Sequence, residues 1–277
     1  MTAPVFRTAS LSDIRTMLDW AAQEGWNPGL DDAEAFHAAD PAGFFVAEMD
    51  GTAVAAISVV NHSDSFAFLG LYICRPDVRG RGVGLGLWRH ALAHAGNRSI
   101  GLDGVPEQQS NYRKSGFALT GETRRYGGTF TGPVPPWRLA TPQDQAEIRR
   151  LDRAANGFDR PAFLAAWVQP GPTRRTVVLG PSEGITGFAT ARLCKSGCKI
   201  GPIVAPDADE AVDLARQAAG SLGQRQVIID VPDGGRRFSD LLAAQGFEVG
   251  FTTARMYKGP APEGNGTLQA IATMELG

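Results

Sequence analysis

Apolar and polar positions along the chain mark out short elements that alternate in type. A strand pattern over 5–8 precedes a helical pattern over 12–22, a loop over 24–30 and a short helix over 32–39. Apolar-rich runs over 43–49 and 52–61 read as strands joined at Asp50-Gly51, a dipeptide that tolerates the positive φ angles of a tight hairpin turn. A turn over 62–65 leads to a strand over 66–74, then a Gly-rich loop over 75–82 and a helix over 83–95. A strand over 98–103, a helix over 107–115 and a final pair of strands reaching Gly128 complete the series. That order predicts a mixed sheet with helices on both faces, an α/β layered unit.

The pattern then repeats. Phe6-Arg7-Thr8-Ala9 opens the first helical stretch and Trp137-Arg138-Leu139-Ala140 opens another, at an offset of 131 residues. Each opening is followed by a helix-capping residue, Ser10 or Ser12 in one case and Thr141 in the other. Ser115-Gly116-Phe117 corresponds to Gln245-Gly246-Phe247, and Arg124-Arg125-Tyr126 to Arg255-Met256-Tyr257. A constant offset at the start, middle and end predicts two copies of one unit, 1–130 and 137–277. The linker over 131–136 carries Pro133, Pro135 and Pro136. Beyond Lys258 the chain is Gly/Pro-rich to Gly266, then apolar to the end.

Composition narrows the function classes. Of 277 residues 43% are hydrophobic, enough for a sizeable core, and 27 Lys plus Arg against 29 Asp plus Glu leave a net charge of −2. That balance argues against a whole-protein grip on nucleic acid. The longest largely apolar run, 53–60, is far shorter than the roughly 20 residues a membrane-spanning helix needs, and residues 1–10 hold no apolar signal core. Three cysteines, Cys74, Cys194 and Cys198, point to a reducing, cytoplasmic setting. Neither Cys194 with Cys198 nor His90 with His94 has the further ligands a zinc site requires, so no metal is expected.

The segment from Leu71 to Gly84 carries the chemistry. A strand ends, the backbone turns on Gly80 and Gly82, and a helix begins near Val83. Free N–H groups at a helix N-terminus bind anions, and Arg79 and Arg81 add positive charge there. The dinucleotide fingerprint and the P-loop are both absent, whereas Arg-x-x-Gly-x-Gly fits at Arg79, Gly82 and Gly84. This loop resembles the acetyl-CoA signature of the GCN5-related N-acetyltransferase (GNAT) superfamily. Tyr112-Arg113-Lys114-Ser115-Gly116-Phe117 likewise resembles the YxKxGF ending of that superfamily's later helix. Glu24-Gly25-Trp26-Asn27-Pro28-Gly29, and Gly101 to Val105 with Gln108, Gln109 and Asn111-Tyr112, are similar to the YitH-like bacterial branch, so the resemblance covers nearly the whole chain.

The resemblance implies two tandem GNAT-like domains, each a mixed, mostly antiparallel sheet flanked by helices. It implies acetyl-CoA as co-substrate. The backbone of Ile73 and Cys74 would align the pantetheine arm, and Arg79, Gly80, Arg81, Gly82, Val83 and Gly84 would wrap the pyrophosphate. Tyr112 would protonate the leaving thiolate, a role that suits a phenol of ordinary pKa near 10. Many relatives place an Asn seven residues before this Tyr. Here Val105 stands there, leaving Gln108, Gln109 and Asn111 as the nearby amides.

The second copy lacks this chemistry. Asp207, Asp209 and Glu210 occupy the region of Arg79 and Arg81, and Leu242 replaces the Tyr. Carboxylates at a helix N-terminus satisfy its dipole and repel phosphate, so only the first copy is expected to bind acetyl-CoA. Transfer to an amine also requires a proton acceptor. Glu24, in the loop that shapes acceptor pockets in this family, Asp103, at the end of a strand, and His62 are the candidates. Trp26 and Asn27, beside Glu24, are expected to contact the acceptor, a small-molecule or peptide amine. A non-catalytic acyl-CoA sensor would keep the loop without needing Tyr112, and a bulkier acyl donor would use the same loop.

Overall fold

The computed structural model describes residues 3–181 and 184–277. The first half runs β1 (Val5–Thr8), α1 (Leu11–Gln23), α2 (Asp32–Ala39), β2 (Phe44–Met49), β3 (Thr52–Asn61), β4 (Phe66–Cys74), α3 (Val83–Ala95), β5 (Ser99–Gly104), α4 (Gln109–Lys114) and β6 (Ala118–Thr129). The second half runs β7 (Arg138–Leu139), α5 (Gln145–Asn156), α6 (Pro161–Trp167), β8 (Arg174–Leu179), β9 (Gly187–Leu193), β10 (Cys198–Val204), α7 (Ala208–Ser221), β11 (Gln226–Pro232), α8 (Arg236–Ala244) and β12 (Glu248–Lys258). A short β13 (Leu268–Ala270) follows.

The repeat extends to atomic detail. Ser10 caps α1 in a reciprocal box with Asp13, whose carboxylate also binds Arg7 at 2.7 Å. At an offset of 131 residues, Thr141 and Asp144 form the same box and Arg138 binds Asp144 at 2.7 Å. Each box satisfies amides that a helix start leaves open and fixes the preceding strand to the helix.

The strands form one sheet in the order β1-β2-β3-β4-β5-β12-β6-β11-β10-β9-β8-β7, with β13 attached to β10. The sequence reading placed a pair of strands at the end of the first copy. Instead one twelve-residue strand, β6, crosses into the second half and pairs with β11, while β12 returns to pair with β5. Each half thus completes its sheet with the other's last strand, and β6 and β12 pair antiparallel at the seam. Hydrophobic pattern identifies a strand but not its neighbour, so this exchange was not legible from the sequence.

Most pairings are antiparallel; β4–β5 and β10–β11 are parallel. The β4–β5 pairing ends at Leu69 against Leu102. Just beyond it β4 slips register against β3, and Leu71 adopts φ 48°. This bulge turns the end of β4 away from β5 and opens the sheet into a cleft. Helix α3 packs on one face through Leu87, Trp88 and Ala91. On the other, α1 and α2 meet α6 of the second half, where Phe36 stacks on Trp167 at 6.1 Å.

Candidate active site

The opening between β4 and the start of α3 is a groove of about 590 Å³, lined by Glu24, Trp26, Ile73, Cys74, Arg79 and Gly82 among others. Gly80 and Gly82 have φ of 76° and 79°, a left-handed conformation that glycine adopts without a steric cost. Gly82 caps α3 without a side-chain hydrogen bond, so the first-turn amides point into the groove with no capping side chain. Gly84 serves another purpose. A Cβ there would fall 2.7 Å from both Cys74 Sγ and Tyr72 Oη, so glycine lets α3 lie close against β4. Val83 is buried and fixes the helix start to the core, while Arg81 lies exposed on the turn. Arg79 Nε donates to Cys74 O at 2.9 Å and Nη2 to Glu24 Oε1 at 2.8 Å.

Deeper in, where β4 and β5 diverge, lies a narrow pocket of about 70 Å³. Trp26 lines both spaces, and Tyr72 and Tyr112 stand in the pocket with Arg125, Phe251 and Glu275. The Tyr112 ring stacks on Trp88 at 5.5 Å. Burial, with the neighbouring Tyr72 phenol, pushes the Tyr112 pKa well above its ordinary value, and burial pushes Tyr72 up to about 12. Both phenols are therefore protonated at neutral pH and available as proton donors.

The residues expected from the sequence separate into those that meet at this site and those that do not. Ile73, Cys74, Arg79, Gly80, Gly82, Gly84, Glu24 and Trp26 share the groove. Asp103 borders the pocket but is engaged. Arg255 grips it through Nε at 3.0 Å and Nη2 at 2.7 Å, and the hydroxyls of Thr123 and Thr253 donate at 3.0 and 3.2 Å. That makes it a buried counter-ion rather than the free base anticipated. Asn27 is turned away: its amide donates to Ser196 O at 2.8 Å and so ties the loop to the second half. Asn111 is exposed and binds Gln108 at 2.9 Å on the outer side of α4. His62 sits in an aromatic core among Phe66, Phe158 and Phe163. His94 binds Asp40 at 2.8 Å, and no group of three or more metal-ligating side chains occurs among the described residues.

Several pocket residues were invisible to sequence reading because they arrive from the exchanged strands and the tail. Arg125 on β6 is held bidentate by Asp230 on β11, at 2.7 and 2.9 Å. Against the cost of burial, Arg125 keeps the Asp230 carboxyl below its ordinary pKa. Phe251 and Thr253 come from β12, and Met274 and Glu275 from beyond β13. Tyr72, one residue past the bulge, was the exception: it lay within the cofactor segment already singled out.

The second half departs at the corresponding place. There β13 pairs antiparallel with β10, Ile203 against Ala270, and Ile271 N donates to Asp230 O at 3.0 Å. The chain's own tail fills the divergence between β10 and β11. Asp207 caps α7 by accepting from Glu210 N at 2.9 Å.

A swapped pair of α/β units with a splayed parallel strand pair and a glycine-turned helix start defines an acyl-CoA transferase architecture. The GNAT acetyltransferase family model matches residues 11–117 and a GNAT acetyltransferase domain model matches 148–269. The chain is 36% identical over 276 residues to holothin acyltransferase from Pseudoalteromonas sp. (strain SANK 73390), covering 98% of this chain and 94% of that protein. It is 27% identical over 218 residues to the uncharacterized N-acetyltransferase YitH of Bacillus subtilis (strain 168), covering 76% of each. The crystal structure of a Pyrococcus horikoshii protein described as an acetyltransferase superposes with a TM-score of 0.83 at 21% identity, covering 100% of this chain and 97% of that one. The chain belongs to the GCN5-related N-acetyltransferase superfamily, as a tandem member with two GNAT domains.

Proposed function

We propose that this chain transfers an acetyl group from acetyl-CoA to the amine of a compact acceptor, by direct attack in a ternary complex formed in its first half. The observation that carries this reading is the contrast between the two divergent strand pairs. The β4–β5 cleft is open beside an uncapped helix start, whereas β13 and Asp207 fill the counterparts in the second half. Beyond Leu69, β4 has no strand on its β5 side among the described residues, so its amides and carbonyls suit an extended pantetheine arm. The amides at Gly82 to Gly84, with Arg79, suit the pyrophosphate.

In this reading the acyl carbonyl reaches the inner pocket beside Tyr72 and Tyr112. The amine nitrogen attacks the thioester carbon, the C–N bond forms, the C–S bond breaks, and Tyr112 gives its proton to the departing sulfur. Leu71, Leu102, Phe251 and Met274 make much of the pocket apolar, and its narrowness favours a small acceptor over a folded protein.

Two measurements on the full chain test this. Calorimetry should find one acetyl-CoA site per chain, lost on Gly82→Val. A CoA-release screen over primary amines should find turnover with a small, partly apolar member. Two sites of similar strength would refute the single-site reading, and tight acetyl-CoA binding without turnover on any amine would favour a sensor.

A further inference from the structure

The tail joins the two halves. After β13, residues 271–276 run buried into the first half. Ala272 O accepts from Arg192 Nη1 at 2.9 Å, and Leu276 O from His62 Nε2 at 2.7 Å. A Cβ on Gly70 would overlap Glu275 O, so glycine there lets the tail lie directly against β4. Gly201, 131 residues later, admits Ile271 O in the same way. The tail between these contacts brings Glu275 to the pocket that holds Tyr72 and Tyr112.

Glu275 is 4% exposed. Thr273 Oγ1 donates to its Oε2, and among the described residues none donates to Oε1. The surrounding carboxylates are already committed: Asp103 to Arg255, Asp230 to Arg125, Asp32 to Arg174 and Arg192, and Glu24 to Arg79. Arg125 from β6, Lys199 from β10 and Arg192 from β9 face Glu275. Each has a partner of its own, Asp230, Trp26 O and Asp32. Burial, then the charge of Arg125, lowers the Lys199 pKa, which weakens its competition for the carboxylate.

We propose that Glu275 is the base that receives the proton of the acceptor amine, an assignment that rests on the acyl-transfer reading above. An ammonium acceptor gives one proton to the Glu275 carboxylate and becomes a neutral nucleophile. Its nitrogen bonds to the thioester carbon and the C–S bond breaks. The thiolate takes the Tyr112 proton, and the remaining proton on nitrogen returns to the Tyr112 oxygen. Glu275 then releases its proton to solvent. The products are amide, free thiol and one proton.

The test uses the full chain, acetyl-CoA and a series of primary alkylamines from methylamine to 2-phenylethylamine. Glu275→Gln keeps the shape and a hydrogen-bonding group. It should lower kcat at pH 7 by about 10²–10⁴-fold, with acetyl-CoA affinity and melting temperature unchanged. Its rate should then climb roughly tenfold per pH unit above 7, as the amine deprotonates without help, while the wild-type rate levels off. Should Glu275→Gln fail to fold, Glu275→Asp, which keeps the charge but withdraws it by one methylene, should lower kcat at unchanged cofactor affinity. Wild-type kcat in a folded Gln variant, or a loss that follows cofactor affinity and melting, overturns the assignment while leaving acyl transfer standing. No CoA release by the wild-type chain with any of these amines overturns both.

Discussion

Glu24 and Arg79 form an ion pair across the mouth of the cofactor groove, 2.8 Å from Oε1 to Nη2. Both side chains are about half exposed, at 43% and 53%. A cofactor phosphate competes with Glu24 for the guanidinium, so the pair is a latch that binding must exchange. Exposed pairs contribute about 0.2–1 kcal/mol, so Glu24→Gln should tighten acetyl-CoA by roughly 1.4- to 5-fold. Arg79→Ala should weaken it by about tenfold or more, the value of a charge-assisted contact. Calorimetry reads both. If Glu24→Gln instead abolishes turnover at unchanged affinity, Glu24 is the base and the latch reading is wrong.

Tyr112→Phe should lower kcat by about 10²-fold while cofactor affinity and melting temperature hold. The ring remains stacked on Trp88, and only the buried hydroxyl is lost. Tyr72 is the control because its phenol lies in the same pocket and is protonated for the same reason. A loss on Tyr72→Phe with none on Tyr112→Phe would move the proton donor one residue past the β4 bulge.

How far these roles could be read from the sequence depends on how far apart their parts lie along the chain. The glycine-turned helix start is local, so Arg79, Gly82 and Gly84 and their spacing could be read directly. The repeat was equally accessible, because Ser10-Asp13 and Thr141-Asp144 are the same short cap used twice. The inner pocket is not local. Arg125, Phe251 and Glu275 reach it only because β6 and β12 change places and the tail runs back along β4. Asp103 was misassigned for the same reason. Its position at a strand end was right, but Arg255, 152 residues away, neutralises it.

Breaking that buried pair should cost stability before chemistry. Asp103→Asn leaves Arg255 without its counter-ion in a site where the carboxylate is only 1% exposed. Removing one member of such a pair typically costs about 3–5 kcal/mol, a fall of roughly 6–20 °C in melting temperature for a chain of this size. Replacing both, Asp103→Leu with Arg255→Met, should recover much of the loss. Scanning calorimetry separates this from a catalytic role: unchanged melting with a large fall in kcat would restore Asp103 as a base.

His62 supplies a pH dependence of stability. Its Nε2 donates to Leu276 O at 2.7 Å, and Nδ1 is buried with no partner among the described residues. Burial, then the positive charge of Arg160, holds its pKa at about 3, although Asp40 and the Leu276 carbonyl pull the other way. The unfolded chain binds this proton near the ordinary histidine pKa of about 6.5, so acid favours the unfolded state. The contribution is complete above about pH 6.5 and disappears as pH falls towards 3, at about 1.4 kcal/mol per pH unit in that window. Urea unfolding at pH 7.5, 6.0 and 5.0 should therefore show declining stability. His62→Gln should be less stable at pH 7.5 but lose less as pH falls, its slope between pH 6 and 5 smaller by about 1.4 kcal/mol per unit. Equal slopes in the two proteins would mean that His62 is charged in the folded state, contrary to its place among Phe66, Phe158 and Phe163.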